Sequence, residues 1–226
     1  MTKAPIAVAL DAPDLVTMQN WAKEVSPHVA VLKVGLEVFL RDGHESINAV
    51  RQVSDCDVFL DLKLHDIPAT VGGAARSVAK LAPKFLTVHA SGGEQMISAA
   101  AEALPETLIT AVTILTSLDQ TQLTAMGWAG SAQDLVVGLA KQSVAAGARA
   151  IVCSPQEVAA VRAQVPSDIV LITPGVRPTG SDAGDQKRIA TPQQALADGA
   201  NILVIGRPIT GAANIGLAAA EIAASI

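Results

Sequence analysis

Val58-Phe59-Leu60-Asp61-Leu62-Lys63-Leu64-His65-Asp66-Ile67-Pro68 passes from an apolar run to a charged one within eleven residues. Residues 58–62 have the composition of a buried strand. Side chains alternate along a strand, so Asp61 and Lys63 share one face while Leu60 and Leu62 share the other. Pro68 has the fixed φ and missing N–H that suit the first turn of a helix, and it predicts a helix over 68–81. Opposite charges side by side at the end of an apolar strand are a costly way to build a core. They form either a strand-end ion pair or a chemical array at the strand's C-terminal mouth.

Outward from this stretch the same unit recurs. Further strands are predicted at 6–10, 29–34, 85–89, 108–113, 150–153, 169–173 and 202–205. Helices are predicted at 14–26, 43–53, 93–104, 132–146 and 155–164. Another opens with Thr191 as N-cap and Pro192 at its first position, and the last starts at Pro208. The strands are continuously apolar, as in buried parallel sheets. Eight strand–helix units in 226 residues point to an α/β fold, a (β/α)8 TIM barrel, with 1–226 as a single domain. A doubly wound sheet is the alternative, but no GxGxxG follows the first strand.

Composition narrows the function. The net charge is −5 and only 2% of residues are aromatic, with no Tyr, which argues against a nucleic-acid partner. No apolar run approaches the roughly 18 residues of a membrane span, and the N-terminus has a short strand rather than a signal-peptide core, so a cytoplasmic location is expected. Cys56 and Cys153 have no metal-ligand spacing and are expected to be buried small hydrophobes.

Barrel chemistry gathers at strand C-terminal ends. There the sequence places Asp11, Lys33, Asp61 with Lys63 and Asp66, His89, Thr113 with Thr116, Arg177 and Arg207. Gly206 permits close backbone approach to a ligand, Arg207 offers a planar fork of donors, and a helix starting at Pro208 favours an anion. The loop 174–189, with Arg177, Gln186 and three glycines, has the composition of a segment that closes over a ligand. His65 is expected to pack or orient rather than transfer protons; His89, at a strand end, is expected to be a hydrogen-bonded structural residue, with direct contact to the site as the alternative. His28 and His44 fall in surface connections.

With these residues in view, the sequence resembles the orotidine 5′-phosphate decarboxylase family, most like its bacterial branch. The likeness rests on Val8-Ala9-Leu10-Asp11, Leu32-Lys33-Val34-Gly35, Phe59 to Pro68, Thr87-Val88-His89-Ala90, Val112 to Ser117, Pro174-Gly175-Val176-Arg177 with Gly184-Asp185-Gln186, and Val204 to Ile209. The resemblance implies release of CO2 from orotidine 5′-monophosphate to give UMP, the last step of de novo pyrimidine synthesis, with no metal or organic cofactor. It implies a homodimer with shared active sites. Lys33, Asp61 and Lys63 of one subunit would be joined by Asp66 of the partner subunit, with Lys63 protonating the C6 carbanion. Asp11 and the partner's Thr70 would bind ribose, and Thr116 would meet the pyrimidine. Arg177, Gln186, Gly206 and Arg207 would hold the 5′-phosphate.

Two rivals remain at this point. Metal-dependent 3-keto-gulonate 6-phosphate decarboxylases are similar at DxKxxD but carry an acid where Lys33 stands, and an ammonium there would repel Mg2+. A non-catalytic phosphate-binding barrel would have no use for four clustered charges.

Overall fold

The computed structural model describes residues 3–177 and 190–226. The elements run β1 (Ala4–Ala9), α1 (Leu15–Val25), β2 (Val29–Gly35), α2 (Leu36–Asp42), α3 (His44–Val53), β3 (Asp57–Leu64), α4 (Pro68–Ser77), β4 (Phe85–His89), α5 (Glu94–Ala103) and β5 (Leu108–Val112). They continue with α6 (Gln120–Ala125), α7 (Ala132–Ala145), β6 (Ala150–Val152), α8 (Val158–Arg162), β7 (Val170–Thr173), α9 (Pro192–Ala197), β8 (Ile202–Ile205), α10 (Arg207–Thr210) and α11 (Ile215–Ala224). All neighbouring strands pair in parallel and β1 closes on β8, giving an eight-stranded barrel.

Local chemistry sets the helix starts. The Asp14 side chain accepts the Thr17 N–H at 2.8 Å, and Thr191 caps α9, which has Pro192 at its first position. Each supplies an acceptor to an N–H that the first turn leaves unpaired.

Three departures from the expected elements matter for the site. The helix expected over 43–53 is present as α3, but an unexpected helix, α2, follows β2 directly, and Gly43, with φ +57°, separates the two. The helix expected to run on from Pro208 is a single turn, α10, separated from α11. Its short length weakens the dipole part of the anion argument, since the macrodipole needs several aligned peptides. Similarly, β5 stops at Val112, and Thr113 turns its hydroxyl to the Val152 carbonyl at 2.8 Å, away from the mouth.

Strand alternation divides the core in two. Ala7, Val31, Phe59, Phe85, Ala150 and Ile172 fill the barrel axis. Ile6, Val8, Leu32, Leu60 and Leu86 face the helices in a larger outer layer. Phe59 and Phe85 meet edge to face with centroids 5.7 Å apart, an arrangement the ring quadrupoles favour. Burying one such ring stabilises by about 1.5–3 kcal/mol. Because the period is two, the residue two past each axial side chain also points inward. Val31 thereby aims Lys33, Phe59 aims Asp61, and Phe85 aims Thr87, setting a polar layer directly above an apolar plug.

The regular period ends inside β3. Phe59 pairs with Phe85 and Leu60 with Leu86, yet Leu64 pairs with Val88. β3 thus spends four residues where β4 spends two, a bulge spanning Asp61 to Lys63. Lys63 takes φ +51°, a left-handed conformation costing a non-glycine residue about 1–2 kcal/mol. The expectation that Asp61 and Lys63 lie together is met, but by a bulge rather than by simple alternation.

Candidate active site

Asp61 is buried at the centre of the mouth. Lys63 Nζ lies 2.8 Å from its Oδ1 and Lys33 Nζ 3.2 Å from its Oδ2. Lys33, also buried, reaches towards Asp11 as well, at 3.8 Å. Burial opposes ionisation of Asp61 and is the largest single influence on it. The ammonium groups of Lys33 and Lys63 together outweigh burial and hold the carboxyl below its usual range.

Above the plug lies a cavity of about 260 Å³ lined by Lys33, Phe59, Asp61, Lys63, Thr116 and Pro174, with Val112, Val152 and Val204 among its apolar walls. A second cavity, about 380 Å³, is lined by Asp11, Arg177, Gly206 and Arg207 and shares Pro174 and Val204 with the first. The two form one trough, with an anionic centre between ammoniums at one end and two guanidiniums at the other. A larger hollow of about 460 Å³ under Asp57 and Lys84 lies at the opposite, N-terminal end of the strands, away from these charges.

Most of the residues singled out in sequence meet in this trough. Arg177 is buried; its backbone N–H bonds the Ala190 carbonyl at 3.0 Å and its Nη1 the Val176 carbonyl at 2.9 Å. Gln186 lies outside the described residues, as does most of the loop expected to close over a ligand. Asp66 and Thr70 line neither cavity. Both are exposed; the Asp66 carboxylate accepts the Ile67 N–H at 2.7 Å and forms no ion pair among the described residues. His65 and His89 stand beside the array with ring centroids 5.3 Å apart, and neither lines the trough. Cys56 and Cys153 are buried free thiols.

One contributor escaped the sequence reading. Thr87, fully buried, accepts the Lys63 N–H at 2.8 Å and donates to Asp61 Oδ1 at 3.0 Å. Its signal is parity: it stands midway between Phe85 and His89 on the inward face of β4.

A family model described as orotidine 5'-phosphate decarboxylase / HUMPS matches residues 4–222. The chain is 63% identical to an orotidine 5'-phosphate decarboxylase of Thermobifida fusca over 99% of this chain and 96% of that one. It is 52% identical to that of Frankia casuarinae over 99% and 88%. A solved structure of the same-named enzyme from Lactobacillus acidophilus superposes with TM-score 0.85 at 35% identity, covering 97% of each chain. The chain belongs to the orotidine 5'-phosphate decarboxylase / HUMPS family.

Proposed function

We propose that this protein decarboxylates orotidine 5′-monophosphate to UMP and CO2, the last step of UMP biosynthesis. The observation that carries this is the Asp61 carboxylate held between two ammoniums at 2.8 and 3.2 Å, over an apolar floor and in line with a two-arginine pocket. Loss of CO2 leaves the bonding pair on C6. Lys63 supplies the proton that converts that carbanion to C–H, and its amine recovers a proton from solvent. The ammoniums are already in place before charge develops on the ring, so little reorganisation accompanies the step. Arg177 and Arg207, joined by Gln186, hold the 5′-phosphate, and binding energy collected there positions the distant carboxylate.

The active form is a homodimer, with Asp66 and Thr70 of the partner subunit completing each site. The support is their exposure within one chain and the apolar surface around them. Leu36 and Leu40, one turn apart on α2, are 47% and 75% exposed, and Ile67, just past the neighbouring strand β3, is 65% exposed; large aliphatics exposed together after two adjacent strands suit a face covered by a partner. Closure of all eight strands in one barrel supports treating 1–226 as one domain. Among the described residues no helix is long and apolar enough to cross a membrane, in keeping with a cytoplasmic enzyme.

Lys33 disfavours the metal-dependent sugar-phosphate lyase alternative, because its ammonium occupies the position where a cation would need an acid. One assay separates the readings. Purified protein with EDTA should deplete orotidylate absorbance. Depletion absent there, with activity appearing only on a sugar phosphate plus Mg2+, would replace this proposal.

A further inference from the structure

The β3 bulge raises an accounting problem that Thr87 solves. At Lys63 the strand leaves its regular register with β4, and the Lys63 N–H turns to a side chain. A buried amide without a partner costs about 1–3 kcal/mol, and the left-handed φ of +51° adds strain. The Thr87 hydroxyl accepts this N–H at 2.8 Å. An ionised carboxylate has no proton to give, so the hydroxyl must turn its own proton to Asp61 Oδ1, 3.0 Å away. The same oxygen takes Lys63 Nζ at 2.8 Å. A ring results: the backbone of Lys63, the Thr87 hydroxyl, the Asp61 carboxylate and the Lys63 ammonium. One hydroxyl therefore sets both the backbone from which the lysine departs and the carboxylate on which it lands.

We infer that Thr87 is a positioning residue for the Lys63–Asp61 pair, acting on the chemical step rather than on nucleotide binding. The inference rests on the decarboxylase reading for its kinetic form, but its geometric content stands apart from it. Thr87 lines neither cavity, so it acts through Lys63 and Asp61 and not by touching substrate.

The decisive variant is Thr87→Val, which keeps the branched shape and removes the hydroxyl. Its kcat for orotidylate should fall about 10–100-fold with KM within about threefold, as expected for losing a bond that matters in the transition state. Thr87→Ser, which keeps the hydroxyl, should recover kcat to within about threefold of the parent. A general packing defect would not discriminate in this way. The inference is overturned if Thr87→Val keeps kcat within about twofold, if Thr87→Ser falls as far as Thr87→Val, or if the loss lies in KM alone. A crystal structure of Thr87→Val gives a readout that does not need turnover: Lys63 should leave positive φ and its Nζ should move off Asp61. Unchanged geometry overturns the inference even if the parent protein proves inactive on orotidylate, whereas that inactivity alone removes only the proposed function. Should Thr87→Val not fold, Thr87→Ala carries the same expectations.

Discussion

A Cβ placed on Gly35 would lie 2.6 Å from Asp11 Oδ1, and it would lie 3.1 Å from Lys33 Nζ. Gly35 has φ −86°, a conformation open to any residue, so the glycine is required by space and not by backbone. Gly35→Ala should therefore fold normally and push Asp11 and Lys33 from their positions. We expect kcat/KM for orotidylate to drop about 10-fold or more, since small misplacements in a positioned site are costly. The thermal midpoint should hold within a few degrees. Full activity would show that neither side chain needs its present place.

Lys63→Ala should abolish turnover while leaving UMP binding measurable by calorimetry. The phosphate end of the trough is untouched by that change, and the proton donor is gone. Retained turnover would remove Lys63 as the acid.

Asp66→Ala and Lys63→Ala should complement when the two inactive proteins are mixed and reassorted. In a mixed dimer one site draws Lys63 and Asp66 from the two unaltered positions, and the other loses both. Random reassortment yields about a quarter of parental activity, by the symmetry of a two-fold dimer. No recovery despite verified mixed dimers would end the shared-site proposal.

His89 should leave a mark on stability rather than on chemistry. Burial, then His65 and Lys63, depress its pKa below the usual 6.5, with Asp61 opposing. Below 6.5 the unfolded chain takes up this proton before the folded one does, so the folded state loses stability as pH falls. The melting temperature should decline from pH 6.5 towards 5, and His89→Gln should flatten that decline. Asp61 does not confuse the test, because its carboxyl is held below 3.8. Parallel curves for the two proteins would reassign the slope.

The barrel was legible because its eight strands are short apolar runs, and runs such as Phe85–His89 and Ile202–Ile205 have nothing else to become. The shorter helices were not. α2 and α6 span seven and six residues, too few for a 3.6-residue period to declare itself. The charged site residues stood out because charge at a strand end is conspicuous. Thr87 did not, because a single hydroxyl in an apolar strand is ordinary, and its meaning depends on a bulge in the neighbouring strand. That bulge is itself hidden: Asp61-Leu62-Lys63-Leu64 alternates perfectly in sequence, and only its pairing with β4 reveals the two extra residues.

The Phe59–Phe85 pair makes the barrel a blind cup. Phe59 is the floor of the reacting cavity, and with Phe85 and the rest of the axial cluster packed against it the axis offers no lower outlet among the described residues. Substrate and both products must share one doorway. Carbon dioxide formed at the floor has to leave past the nucleotide that released it, or wait until the nucleotide goes. The ring contact that stabilises the barrel therefore also leaves both products a single exit to share.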